Sequence, residues 1–203
     1  MIGKLKEKRR RYILSRPLPK YRKIFSFLPE KGIFLDAGCG RAELSKYILS
    51  KNPNVKLIGC DTGTKPEYKN KNFKYYQKDL NQRLPFKKKF DVIIFADVLE
   101  HLEKPQKILA QASRYANKFI ISIPNLNFFM YKIYPKLENP PQGESQHLHH
   151  WKPEGFLKLI PKNFKVVRKE YCSDFPEFRW THKLFPKSNF FNQTLILKIV
   201  KNK

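Results

Sequence analysis

The sequence predicts one α/β domain, a doubly wound sheet covered by helices on both faces. Three observations lead there. The run Ile33-Phe34-Leu35-Asp36-Ala37-Gly38-Cys39-Gly40 is a short apolar stretch ending in an acid and a Gly-x-Gly turn, and Leu44, Tyr47 and Ile48 follow at helical spacing. That succession reads as strand, tight turn and helix. Apolar runs then recur along the chain, and of its six aspartates Asp36, Asp61, Asp79 and Asp97 fall at or just after predicted strands. The length of 203 residues suits a single unit with a sizeable core.

Each element has its own signal. Pro17 and Pro19 separate the amino end from a helix spanning about Lys20 to Leu28. Val55-Lys56-Leu57-Ile58-Gly59-Cys60 reads as the second strand, Phe73 to Tyr76 as the third and Asp91-Val92-Ile93-Ile94-Phe95 as the fourth. A helix from about Lys104, opened by Pro105 in its first turn, turns Ile108, Leu109, Ala112 and Tyr115 inward. Phe119 to Ile123 is the fifth strand, Glu154 to Leu159 begins another helix, and Phe164 to Tyr171 and Phe191 to Lys201 are the last two strands. Two connections are too long to be simple links. Residues 124–150 carry Phe128, Phe129, Met130, Tyr131 and Tyr134, and residues 173–190 carry Phe175, Phe178, Trp180 and Phe185. Long loops over the carboxyl edge of such a sheet are usually functional, so a lid and acceptor pocket is expected there, against simple loop packing.

The glycine turn narrows the ligand. Backbone amides at the helix start face whatever binds there. A nicotinamide or flavin fingerprint needs G-x-G-x-x-G, and its sixth position here is Glu43. Asp36 at the strand end would repel a pyrophosphate and suits a ligand carrying positive charge, such as S-adenosylmethionine with its ammonium and sulfonium. Asp61 follows the second strand about 20 residues past the glycines, the spacing at which an acid grips a ribose diol. Asp79 can accept from an adenine amino group, with Leu80 packing beside the ring.

Together these segments resemble the class I S-adenosylmethionine-dependent methyltransferases, and within them the small-molecule branch with ubiquinone-biosynthesis-type and MetW-like members. LDAGCG, GCD, KDL and FDVIIFADVLEHL match that family's four ordered motifs, and FIISIPN and HLHHWKPEGFLKLI look like its fifth strand and next helix entry. The resemblance covers roughly Gly32 to Asn202, with Ala42 standing where the family often has a third glycine. It implies a Rossmann-like, seven-stranded sheet with an antiparallel last strand. It also implies that Asp36, Gly38, Cys39, Gly40, Asp61, Asp79, Leu80 and Ala96 bind S-adenosylmethionine. The domain organisation expected is a basic amino-terminal arm over 1–19 and the methyltransferase domain over 20–203, with insertions at 124–150 and 173–190.

Methyl transfer is an in-line displacement that depends mainly on placing the acceptor, so it demands no dedicated nucleophile. Ala96-Asp97-Val98-Leu99 lacks the Asn/Asp-Pro-Pro-Tyr type of turn used on planar amines, which points away from adenine and glutamine-amide methylation. A hydroxyl acceptor needs a base, and histidine titrates near neutral pH. His101, on the turn after the fourth strand, is the first catalytic candidate, against a role in bracing that turn. His147 and His149 are the next candidates, because alternate residues of an extended segment point the same way. With Glu144 they would form a metal set, but no metal is assigned. The activity expected is methylation, at oxygen, of a small-molecule or lipid-linked acceptor.

The charge is unusual: 42 Lys and Arg against 17 acids give a net +25. Lys4, Lys6, Lys8, Arg9, Arg10, Arg11, Arg16, Lys20, Arg22 and Lys23 gather near the amino end around the single acid Glu7. Such a surface recruits nucleic acid, an anionic membrane or an acidic substrate, whereas codon bias toward Lys explains the cations without explaining the shortage of acids. An RNA methyltransferase guided by the arm, and a non-catalytic module that binds the cofactor to regulate a partner, therefore stand as alternatives. Peripheral membrane contact also stays open. No apolar run approaches the ~20 residues of a membrane span, and no secretory signal is evident. Cys39, Cys60 and Cys172 are odd in number and lack metal spacing, which fits small packing residues in a reduced, cytoplasmic setting.

Overall fold

The computed structural model describes residues 18–63, 65–82, 84, 86–133, 147–174 and 179–202, without the side chains of Arg179, Thr181 and His182. The strands are β1 (Ile33–Ala37), β2 (Lys56–Asp61), β3 (Phe73–Gln77), β4 (Val92–Ala96), β5 (Lys118–Pro124), β6 (Phe164–Cys172) and β7 (Thr194–Lys201). They form one seven-stranded sheet in the order β3-β2-β1-β4-β5-β7-β6. The strands from β1 to β5 pair in parallel, and β7 enters antiparallel between β5 and β6. The helices are α1 (Pro19–Phe27), α2 (Glu43–Lys51), α3 (Pro105–Ala112), α4 (Phe129–Ile133), α5 (Pro153–Leu157) and α6 (Arg179–Leu184). This is the predicted doubly wound sheet with its antiparallel last strand.

The central strands read as unbroken apolar runs because both of their faces are covered. In β4, Ile93 and Phe95 join Leu35, Ile121, α3 and Phe156 in one core, while Val92 and Ile94 join Phe34, Ile120, α1 and α2 in the other. The outer strand β6 lies beyond this cover. Its Val166 and Val167 are exposed, and Lys165, Arg168 and Lys169 charge it against edge-to-edge pairing. Proline opens α1, α3 and α5, where its missing N–H is one the first turn leaves unpaired anyway. Tyr115, expected on α3, falls beyond the helix end but still packs on the core. The final strand starts at Thr194 rather than Phe191: Asn192, beneath the turn before it, donates to the carbonyls of Phe185 and Ser188 and holds that stretch as a loop.

The predicted arm over 1–19 lies outside the described residues except for Leu18 and Pro19. Two cations counted beside it belong to the fold. Lys23 pairs with Glu170 of β6 at 2.5 Å. Lys20 pairs with Asp97, just after β4, and lies 3.4 Å from Asp174, just after β6. The Asp174 carboxylate also accepts from the Lys20 amide at 3.1 Å, and the Asp97 carboxylate from the Ser122 hydroxyl at 2.6 Å. Burial works to raise the Asp97 pKa, but the Lys20 charge and the hydrogen bonds from Lys20 and Ser122 hold it below the usual range. At Asp174, where the lysine is farther away, burial prevails and the pKa rises. No described helix is long and apolar enough to cross a membrane.

Removing one member of a buried ion cluster strands the others, at a cost of about 3–5 kcal/mol. Lys20→Met should lose that much stability in urea denaturation at pH 7.5. Two stranded carboxylates have raised folded-state pKa values, so the loss should shrink as the pH falls and they take up protons. A mutant as stable as the wild type at pH 7.5 would show the cluster to be energetically idle.

Candidate active site

In an open α/β sheet the polar backbone ends of the strands converge at one edge, and ligands bind there. A cleft of about 330 Å³ occupies that edge, walled by Gly38 after β1, Asp61 and Thr62 after β2, Asp79 and Leu80 after β3, and Asp97, Val98 and His101 after β4. Larger hollows of about 610 and 530 Å³ lie at β3 and at the start of α2. Their walls are mainly lysine, tyrosine and other exposed side chains, without the glycine turn or the converging aspartates.

The glycine turn is built by local chemistry. The amides of Gly38 and Cys39 both donate to the Cys60 carbonyl, at 2.8 and 3.1 Å. Gly38 has φ +76°, and a Cβ there would stand 2.0 Å from Cγ2 of Val98. Only glycine meets both demands. At Gly40 the position of a Cβ faces open space, and its amide donates to the Asp61 carboxylate at 2.8 Å. A second amide, from Gly63, donates to the same carboxylate at 3.0 Å. Asp61 is thus oriented on the cleft wall with acceptor capacity to spare. Ala42 adopts the left-handed conformation at φ 62°, which explains why a glycine is common there in the resembled family.

The cleft unites Gly38, Asp61, Asp79, Leu80 and His101 of the expected site. Asp36 is 1% exposed and its carboxylate accepts from the Ser45 hydroxyl at 2.7 Å, so it is a buried group behind the turn and not part of the cleft wall. Burial pushes its pKa up to about 6, offset in part by the Ser45 hydrogen bond. Cys39 and Ala96 pack into the interior. Burial raises both the Cys39 and the Cys60 thiols, the latter to about 12, so neither is a thiolate nucleophile near neutral pH. Leu80 is buried and Asp79 orders its own loop by accepting from the Asn81 amide at 2.8 Å.

The histidines separate. His101 ends the single 3₁₀ turn Leu99–His101, and its ring centroid lies 4.8 Å from that of His147. His149 instead donates to the Leu102 carbonyl at 2.8 Å and stacks on Trp151 with centroids 5.0 Å apart. That engagement makes it a brace for the turn. In the first insertion Phe128 and Tyr131 are buried in aromatic contacts, while Tyr134 and Glu144 lie outside the described residues. In the second, Trp180 and Phe185 are exposed, and Phe175 and Phe178 lie outside the described residues. None of the described aromatics of either insertion lines the cleft. Asp97, Val98 and Lys78 do line it and were not among the expected site residues. The aspartate after the fourth strand was the one available signal.

The sheet order, the glycine turn and the aspartates at successive strand ends define a nucleoside-binding α/β transferase. A methyltransferase-domain family model matches residues 6–170, and the chain belongs to that family. Solved structures share the fold at low identity. An S-adenosylmethionine-dependent methyltransferase from Mesorhizobium loti has TM-score 0.65 and 13% identity over 89% of this chain and 96% of that one. The 1,6-didemethyltoxoflavin-N1-methyltransferase of Burkholderia thailandensis, solved with that compound and S-adenosylhomocysteine, has TM-score 0.64 and 15% identity over 92% and 80%. The N-methyltransferase NodS of Bradyrhizobium japonicum, with S-adenosylhomocysteine, has TM-score 0.60 and 10% identity over 91% and 86%. No curated protein matches the chain.

Asp36 gives a pH test. Its pKa is about 6 when folded against about 3.9 in an unfolded chain. The folded state holds this proton more tightly, so the contribution to stability is most favourable below pH ~4 and declines up to pH ~6, above which the full penalty persists. Asp36→Asn keeps the shape and removes the charge. It should be about 3 kcal/mol more stable than the wild type at pH 7.5 and nearly indistinguishable near pH 4. Thermal denaturation across that range decides it, and a mutant less stable at pH 7.5 would contradict the assignment.

Proposed function

We propose that the protein transfers a methyl group from S-adenosylmethionine to an oxygen of a small-molecule or lipid-linked acceptor. The observation that carries this is the single cleft walled by Gly38, Asp61 and Leu80 together with His101. The donor set fits the cofactor: an oriented carboxylate for ribose hydroxyls, an apolar side chain beside an aromatic base, and glycines that leave space along the turn. When bound, the cofactor supplies an electrophilic methyl on a sulfonium. The chain's share is to hold the acceptor close and in line, with Asp36 bracing the turn through Ser45. On this reading His101 deals with the acceptor's proton, His147 supports it, and His149 braces. The toxoflavin-type structural neighbour acts on a small molecule, which supports that acceptor class. Two of the three neighbours are N-methyltransferases, so methylation at nitrogen is the alternative outcome.

Labelled methyl from S-adenosylmethionine, offered with fractionated small-molecule, lipid and RNA extracts, identifies the acceptor. Label in RNA alone would favour the second reading, which draws on the net charge of +25 and on the hollow at β3, where Lys65, Lys69, Lys71 and Lys74 surround tyrosines. Asp61→Ala should weaken binding of S-adenosylhomocysteine by about 1.5–3 kcal/mol in calorimetry. His101→Ala should lower turnover roughly 10²–10⁴-fold with that affinity retained. Full activity in a stable His101→Ala protein would remove the residue from the mechanism.

A further inference from the structure

The turn after β4 contains a buried acid that nothing so far explains. Glu100 is 1% exposed, and both of its carboxylate oxygens are buried without a hydrogen-bond partner. A carboxylate so placed is strongly disfavoured unless a cation or a proton compensates it. Among the described residues no ion pair reaches Glu100, and the Lys20 ammonium beside the neighbouring Asp97 is already committed to Asp97 and Asp174.

Two imidazoles stand beside it. One ligand atom each from Glu100, His101 and His147 lie within 4.8 Å of one another. The arrangement is tethered, because the amides of Leu148 and His149 donate to the Glu100 carbonyl at 2.8 and 3.1 Å and so dock the segment carrying His147 onto the turn carrying Glu100 and His101. His149 secures the same junction through the Leu102 carbonyl.

We infer that Glu100, His101 and His147 form a site for a divalent first-row transition-metal ion, open toward the cleft that His101 helps to wall. Magnesium and calcium favour oxygen-only sets, whereas two imidazoles and one carboxylate suit manganese, iron, cobalt or zinc. Ligand atoms ~2.0–2.2 Å from one ion lie about 3–3.5 Å apart. From separations of up to 4.8 Å the side chains need to close by roughly 1.3–1.8 Å, within reach of rotamer adjustments. The set differs from the one weighed on the sequence, where no metal was assigned and His147 and His149 were considered with Glu144. His149 has another partner, and Glu100 and His101 take those places. Three protein ligands leave room for an oxygen of the acceptor, which the ion would orient and acidify. That last role rests on the methyl-transfer reading, and it makes His101 a ligand in place of a proton acceptor.

The test uses the full chain stripped with chelator and titrated with Co²⁺, read by visible absorption, and with Zn²⁺, read by calorimetry. One equivalent should bind at micromolar concentration or below. Glu100→Gln and His147→Gln should each weaken it by about tenfold or more. Cooperative melting and the thermal shift with S-adenosylhomocysteine report that each variant is folded. Should Glu100→Gln fail to fold, His147→Gln, at a half-buried loop position, makes the same comparison. No uptake by the wild type at 100 µM metal, or equal uptake by folded variants, overturns the site. Metal uptake without S-adenosylhomocysteine binding would instead overturn the methyl-transfer reading and leave the metal site standing.

Discussion

The ammonium of Lys20, enclosed by the carboxylates of Asp97 and Asp174, is the interaction on which the site's shape depends. It joins α1 to the loops after β4 and β6, beside the Lys23–Glu170 pair that ties the same helix to β6. Asp97 has a positive φ of 52°, a conformation non-glycine residues adopt only when their surroundings compensate for it. The lysine, the Ser122 hydroxyl and the Ser122 carbonyl, which accepts from the Asp97 amide, are those surroundings. With Asp97 held, Val98 falls over Gly38 and the 3₁₀ turn presents His101 to the cleft. An isolated surface pair at this position would contribute at most about 1 kcal/mol. Burial makes the same contact decisive for folding and expensive to break.

The two walls of the cleft use polar groups differently. On the side of the glycine turn, Asp61 is fed by backbone amides of Gly40 and Gly63, which fix its direction. Behind that wall Asp36 has only Ser45 and resists ionisation, a stability cost kept next to the binding turn. On the side of the turn after β4, Glu100 has less still. Among the described residues the buried acids, Asp36 and Glu100, both lie near the cleft and are incompletely compensated, the kind of group that clusters at functional sites.

Much of the fold was readable because its signals are local. A strand buried on both faces must be continuously apolar over a few residues, and a turn with positive φ must carry glycine at Gly38. The start of α3 was marked by Pro105. Boundaries slipped where tertiary contacts intervened, as at Asn192, whose side-chain hydrogen bonds turn a β-prone stretch into a loop. The aromatic insertions were misleading for a related reason. Composition cannot distinguish a side chain that lines a pocket from one that packs beneath it, and Phe128 and Tyr131 pack.

By itself the sequence determined the sheet, its glycine turn, the acids at the strand ends and, through these, the methyltransferase family, because each depends on neighbours a few residues away. The tertiary structure alone decided that Lys20 is a buried counter-ion and not an arm charge, that His149 braces while His101 faces the cleft, and that Glu100 meets His101 and His147. Those pairings join residues far apart in the chain, and what sets them is the distance and dielectric of the folded interior, which no local pattern encodes.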